Sequence, residues 1–460
     1  MTESPIVEEY VPWKSRLWIS GADSAIAILQ TVVAGGALTY YFTRVRGLSA
    51  EGAATVWLLF AIWNAINDPL FGYISDRTKS KLGRRKPYIR FGAPLVTLSF
   101  IFLWLDLPAT QWILFSQLLV GLFLYDILYT AIATSIYIMP YEMAVSNKAR
   151  SSIFIWKIIF MIFPNIFPFV IAMIQPGPGD DPTSYRIMMI LLGIVMGLIV
   201  FASTYFYQEK HYQQDQQQLP FLKALKESFK NNSFVIFLVV SFSIIYIQTG
   251  LMQGVAYYFD EINAAPIPAY IGLALGIVVG IIYWIYNRDR LGVKTCLKIW
   301  LELFAVGCLL MLLLGRQLVP SIIGFFFIGV GFAGGMYLIP IMNGDVIDFD
   351  EEKTGLRREG MYAGINSLVT KPAISIAQSL FLLIITRYGY NQQLQKGLQS
   401  TSAETGILVA WMLVPSLLLI ISYIAMNWYP LAGEHWQATK EKLAIIHAQK
   451  ENDYLRKIGQ

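Results

Sequence analysis

Charge is scarce in this sequence. Asp, Glu, Lys and Arg make up 14% of its 460 residues, against about 25% in an ordinary soluble domain. With 56% hydrophobic residues and a mean hydropathy of +0.52, there is too little charge to form a water-facing shell. That excludes a soluble enzyme and a disordered chain. The charges present nearly balance, 35 basic against 30 acidic for a net +5, so no polyanion partner and no nucleic-acid surface is expected. Cysteine is almost missing: Cys296 and Cys308 lie in one apolar stretch, which leaves no disulfide framework and no Cys-based metal site. The histidines, His211, His435 and His447, all fall outside the apolar runs. No GxxxxGK[ST] phosphate loop occurs, which argues against a nucleotide-driven pump.

What the chain has instead is long apolar runs. They lie near 17–43, 53–75, 89–106, 111–139, 152–175, 186–207, 233–259, 268–287, 296–314, 318–344, 361–387 and 405–429. At about 20 apolar residues per crossing, the pattern predicts an all-α membrane protein of about twelve transmembrane helices. The first run follows Glu3, Glu8 and Glu9 and is too long for a signal-peptide core, so it is read as a crossing. Alternation from an inner N-terminus leaves only Arg44, Arg46, Arg186, Arg316, Arg387 and Lys396 outside. Lys157 and Lys371 fall within helices and the other basic residues lie inside, which predicts that both termini are cytoplasmic.

The interior stretch poorest in apolar residues carries Gln213, Gln214, Gln216, Gln217 and Gln218, then Lys223, Lys226 and Lys230. It divides the chain into an N-terminal six-helix bundle (1–208), a cytoplasmic linker (209–232), a C-terminal six-helix bundle (233–430) and a polar tail (431–460). A weak internal repeat supports this division. Asp76-Arg77 and Gly83-Arg84-Arg85-Lys86 follow the second crossing, and Asp289-Arg290-Leu291-Gly292 and Lys294 follow the eighth. Two similar halves joined by an inner connector are the pattern of an alternating-access transporter.

Two blocks carry a family resemblance. The first is Asn64-Ala65-Ile66-Asn67-Asp68-Pro69-Leu70-Phe71-Gly72-Tyr73, running into Ser75-Asp76-Arg77-Thr78 and Gly83-Arg84-Arg85-Lys86-Pro87. The second is Gly344-Asp345-Val346-Ile347-Asp348-Phe349-Asp350-Glu351, then Thr354-Gly355, Arg357-Arg358-Glu359-Gly360 and Lys371. The chain resembles the glycoside–pentoside–hexuronide:cation symporters of the major facilitator superfamily, the family of the melibiose permease. The resemblance implies two six-helix bundles related by a pseudo-two-fold axis around one central cavity.

Asp68 is an ionisable group inside a crossing, which is costly unless paired or facing water, so it is a functional candidate on its own chemistry. The neighbouring Pro69 removes a backbone donor and can free carbonyls for an ion. By resemblance Asp68 is the cation-site carboxylate, with Asn64 one turn earlier on the same face and Thr130 completing the site. Sodium-coupled relatives hold an acid where Asn64 stands, and their next carboxylate falls at Ala133 or Thr134 here. One carboxylate suits a proton better than Na⁺, so H⁺ is the favoured coupling ion and Na⁺ the alternative. No other cofactor is expected.

By resemblance Asp23 binds sugar hydroxyls, which a carboxylate accepts in bidentate fashion; pairing with a basic residue is its structural alternative. Lys157 stands where relatives often have an arginine, or else snorkels to the inner face. Asp126 is either an outer-half cavity residue or a partner of Lys157. Tyr129 is among the aromatics able to stack on a sugar, although most membrane aromatics pack or sit at interfaces. Lys371 is the cavity lysine linking ion and substrate sites, with Asp68 or Asp23 as its expected counter-charge. Asp76, Arg77, Arg84 and Arg85 in the first half, and Asp345, Asp348, Arg357 and Arg358 in the second, are implied as an inner gate. Anionic-lipid contact is the plainer reading of the basic loop.

These readings predict a monomeric plasma-membrane symporter of a sugar, glycoside or uronate, in contact with lipid. Two alternatives are a lysolipid carrier of the same superfamily and, from another class, a membrane prenyltransferase whose paired acids would hold a diphosphate.

Overall fold

The computed structural model describes residues 10–76, 78, 80–83, 85–143, 147–207, 229–263, 265–354, 359–433, 436–443 and 445. Side chains 68–70, 72–76, 141–142, 147–151, 289, 359–361 and 363 lie outside that description. The described residues are helical almost throughout. In hydrocarbon the backbone has no water to bond, and a helix satisfies its own N–H and C=O groups.

The first helices are α1 (Trp13–Ala34), α2 (Ala37–Tyr40), α3 (Ala50–Asp76), α4 (Lys86–Leu103), α5 (Gln111–Met143), α6 (Asn147–Phe160), α7 (Ile162–Ile174) and α8 (Thr183–Ser203). α2 runs directly into a π-helical turn, Tyr41–Val45. After the 208–228 stretch come α9 (Asn232–Glu261), α10 (Pro266–Leu291), α11 (Val293–Leu314), α12 (Leu318–Thr354) and α13 (Glu359–Arg387). The final passage is α14 (Thr401–Leu408), a π turn at Val409–Leu413, and α15 (Val414–Ala425).

Several starts are written locally. Asn231 caps α9 by accepting from the amides of Ser233 and Phe234, and Ser400 caps α14 through the amide of Ala403, each satisfying donors the helix leaves open. Pro87 and Pro266 sit in the opening turns of α4 and α10, where a missing N–H costs nothing.

Among the described residues, ten stretches are long and apolar enough to cross a membrane. α3 and α4, over the second and third apolar runs, are helical but not among these ten. Large apolar side chains face outward: Leu98, Trp112, Ile282 and Leu313 are between 63% and 76% exposed. A surface of this kind suits lipid and would aggregate in water.

α1 packs against α5, α6, α7 and α8, and α4 against α5 and α8, while α3 lies on α5. In the later half α10 and α11 pack on α12, and α9 packs on α13 and α15. The two sets meet where α3 lies along α13, and where α2 and α7 touch α9. α10 and α12 approach so closely that a Cβ at Gly276 would stand 2.0 Å from the carbonyl oxygen of Phe326, and one at Gly329 2.2 Å from that of Leu273. Only glycine permits that contact, as is common where membrane helices pack without a hydrophobic drive.

Candidate functional site

Asp126 and Thr130 are one turn apart on α5, both buried. Asn67 of α3 reaches them with one amide nitrogen, which donates to the Asp126 carbonyl at 3.0 Å, to Asp126 Oδ2 at 2.8 Å and to Thr130 Oγ1 at 3.0 Å. Lys371 enters the same cluster from α13. Its Nζ donates to Thr130 Oγ1 at 3.0 Å and stands 3.9 Å from Asp126 Oδ1. The Asn64 amide donates to the Lys371 carbonyl at 3.2 Å. Side chains from α3, α5 and α13 therefore meet in one buried polar cluster that spans the two helix sets.

A second pair lies between α1 and α6. Lys157 Nζ is 3.1 Å from Asp23 Oδ2, and the side chains are 10% and 22% exposed. Asp23 thus keeps accessible carboxylate surface while its charge is balanced. Ser24 beside it donates to the Phe160 carbonyl at 2.9 Å, which ties α1 to the same stretch of α6.

These partners redistribute the sequence expectations. Lys157 pairs with Asp23, so Asp126 is not its partner and it does not snorkel to the inner face. Asp23 is accordingly not the counter-charge of Lys371, which lies beside Asp126. Tyr129 stacks on the buried Tyr125 with ring centroids 5.8 Å apart. The Asp68 side chain lies outside the described residues, as do the side chain of Asp76 and residues Arg77, Arg84, Arg357 and Arg358; Arg85 is buried.

Of the implied gate in the second half, Asp345 receives Lys440 of the tail at 2.6 Å, and Thr439 donates to Glu352 at 3.4 Å. Asp348 lies one turn along α12 from Asp345. Residues 436–443 are helical, and this part of the tail docks through Thr439 and Lys440 on the acidic end of α12.

Arg44, expected in a loop after the first crossing, is instead helical. It lies in the π turn that prolongs α2, and its Nη2 is 2.5 Å from Glu261 Oε1, with both side chains fully buried. No local signal marks that pairing, since Glu261 closes a helix 217 residues further on.

The described chain is thus a bundle of lipid-suited helices with polar clusters buried between two helix sets. A family model described as MFS/sugar transport protein matches residues 20–433, and the chain belongs to that family of the major facilitator superfamily, the group that the Asp68 and Asp345 blocks resemble. It is 27% identical over 86% of its length to a protein named an uncharacterized symporter of Bacillus subtilis (strain 168), covering 87% of that protein. It is 25% identical over 93% of its length to the isoprimeverose transporter of Lactiplantibacillus pentosus, covering 90% of it. Its fold matches the crystal structure of a D-xylose–proton symporter with a TM-score of 0.65, at 14% identity over 90% of this chain and 97% of that one. The protein is thus an integral, multi-pass membrane transporter of a sugar-transport family, and the prenyltransferase alternative is set aside.

Proposed function

We propose that this protein is a cation-coupled symporter of a sugar or glycoside that works by alternating access. It crosses the membrane twelve times as bundles 1–208 and 233–430, joined by the inner linker 209–232, with the tail 431–460 and both termini inside, and it acts as a monomer. Asp23 and Lys157 bind the solute. Asp68, Asn64 and Thr130 hold the cation, a proton in preference to Na⁺, and Lys371 joins the two functions. Asp76, Arg77, Arg84 and Arg85, with Asp345, Asp348, Arg357 and Arg358, close the inner side.

One observation carries this reading. Lys371, on a helix of the second bundle, donates to Thr130 and approaches Asp126 in the first. A charge at that place feels both the ion that loads the first bundle and the relative position of the two bundles. That sensitivity is what coupling needs, since an ion can bias an access equilibrium only by binding its states differently. The names of the relatives, an isoprimeverose transporter and a symporter, support a sugar solute and ion coupling. The Asp23–Lys157 pair suits a polyhydroxyl ligand, because it offers an acceptor and a donor side by side, both charge-assisted.

The test is a thermal-unfolding screen of the purified protein against pentoses, hexoses, glycosides and uronates, with and without Na⁺ and at two pH values. A bound solute raises the melting temperature by mass action. Asp23→Ala is expected to weaken sugar binding roughly 10- to 100-fold, the worth of one charge-assisted hydrogen bond at about 1.5–3 kcal/mol. A wild-type shift retained in full by Asp23→Ala would remove that residue from the site. No shift with any sugar would remove the sugar class.

A further inference from the structure

The chain after the end of α1 carries a row of contacts that the inner-gate reading does not use. Gly35 and Gly36 break the first passage, Gly36 with a φ of +93°. Beyond the break, residues 36, 39, 40, 43 and 44 recur at helical spacing along one face, and every one of them meets the second helix set. A Cβ at Gly36 would stand 2.4 Å from Gln253 Cα of α9. Thr39 donates to Gln378 of α13 at 3.0 Å, and Gln378 in turn donates to the Ala34 carbonyl at 2.6 Å. Tyr40 donates to Asp260, and Thr43 lies 3.1 Å from the Tyr257 hydroxyl. Arg44 pairs with Glu261 and also donates to the carbonyls of Gln392 at 3.0 Å and Leu394 at 3.2 Å.

The opposite face holds the segment to the first set. Arg46 donates to the Leu105 carbonyl at 3.2 Å and lies 3.3 Å from Asp106. The Tyr41 ring packs on Trp104 at 4.9 Å. The segment therefore moves with the first bundle, and only its 36–44 face would have to part from the second.

We propose that this face is the outer gate, shut in this structure, with the Arg44–Glu261 pair as its latch and the Gly36–Gln253 approach as its seat. The proposal rests on the alternating-access reading and on its inner and outer assignment. When the gate is shut the pair is excluded from water, so losing one partner leaves an unmatched buried charge in that state alone. When the gate opens, water solvates both groups. Loss of either partner therefore favours the open state. A side chain at Gly36 blocks seating by sterics, through a mechanism independent of charge.

The experiment measures labelling of the full-length protein in oriented vesicles with a membrane-impermeant maleimide, using a Gln30→Cys reporter on α1 behind the seat. Cys296 and Cys308 are buried, which keeps background labelling low. Arg44→Ala, Glu261→Gln and Gly36→Ala are each expected to raise the outer-side labelling rate at least tenfold over the reporter alone. Unchanged rates in the charge variants and in Gly36→Ala would overturn the proposal, and so would a rise seen only from the inner side. The readout needs no solute, so a failure of the gate is distinguishable from a failure of the sugar assignment. Should Arg44→Ala not fold, Glu261→Gln and Gly36→Ala carry the test.

Discussion

Lys371→Ala is expected to reduce gradient-driven accumulation in proteoliposomes to background, roughly a 100-fold loss, and to lower the melting temperature of the purified protein. The ammonium stands 3.9 Å from the Asp126 carboxylate, whose side chain is only 4% exposed. Removing the ammonium takes a positive charge from beside a buried carboxylate, which makes the carboxylate's charge costlier to keep out of water. The same change deletes one of the two donors to Thr130 described above, and with it one tie between α13 and α5. Two companion variants separate stability from coupling. Lys371→Ala with Asp126→Asn should regain part of the lost melting temperature, since the Asp126 charge beside the missing ammonium is gone too, yet should still fail to accumulate solute. Lys371→Arg should keep the charge but present a planar fork in place of a compact ammonium, and so transport weakly. Wild-type accumulation by Lys371→Ala would sink the coupling role.

The second large effect concerns Asp68→Asn, for which uphill accumulation should vanish while exchange of solute across the membrane persists. On the proposed mechanism an empty carrier does not close around a bare carboxylate, because burying that charge in a medium of low polarity costs several kcal/mol. Cation binding removes the charge and permits the loaded carrier to reorient. Asparagine keeps the size and the hydrogen bonding but removes the discrimination, so loaded and empty forms both reorient. The surroundings make this position sensitive. Asn64 and Asn67, four residues and one residue before it on α3, are bonded to Lys371 and to Asp126 with Thr130. Counterflow and imposed pH or Na⁺ gradients distinguish the two activities in one preparation. Accumulation at the wild-type level by Asp68→Asn would refute the assignment, whereas loss of exchange as well would move Asp68 from coupling to solute binding.

Hydropathy alone determined that this chain lives in a bilayer, and two short blocks around Asp68 and Asp345 determined its family. Both are local properties. A helix in lipid is selected by the composition of some twenty consecutive residues, and a motif is read from consecutive letters. Asp23, Asp126, Lys157 and Lys371 stood out one by one for the same reason, since an ionisable group in an apolar run is conspicuous wherever it pairs. Asn64 and Thr130 came only from the resemblance, and Asn67, an uncharged amide in the motif, carried no signal of its own. The pairing itself was not legible. Lys371 and Thr130 are 241 residues apart, and Arg44 and Glu261 are 217 apart; in both cases an amphipathic or charged position had several possible counter-charges of the right sign. Lys157 took Asp23 rather than Asp126, and Lys371 took Asp126 and Thr130, because α1 packs on α6 while α13 lies along α3 and delivers its lysine to α5. The Gly35–Gly36 break, which reads in sequence as two small residues, acquired its meaning only when Gln253 was found pressed against it. Charge and hydropathy decide which residues must find partners, and the packing of helices far apart in the chain decides which partners they find.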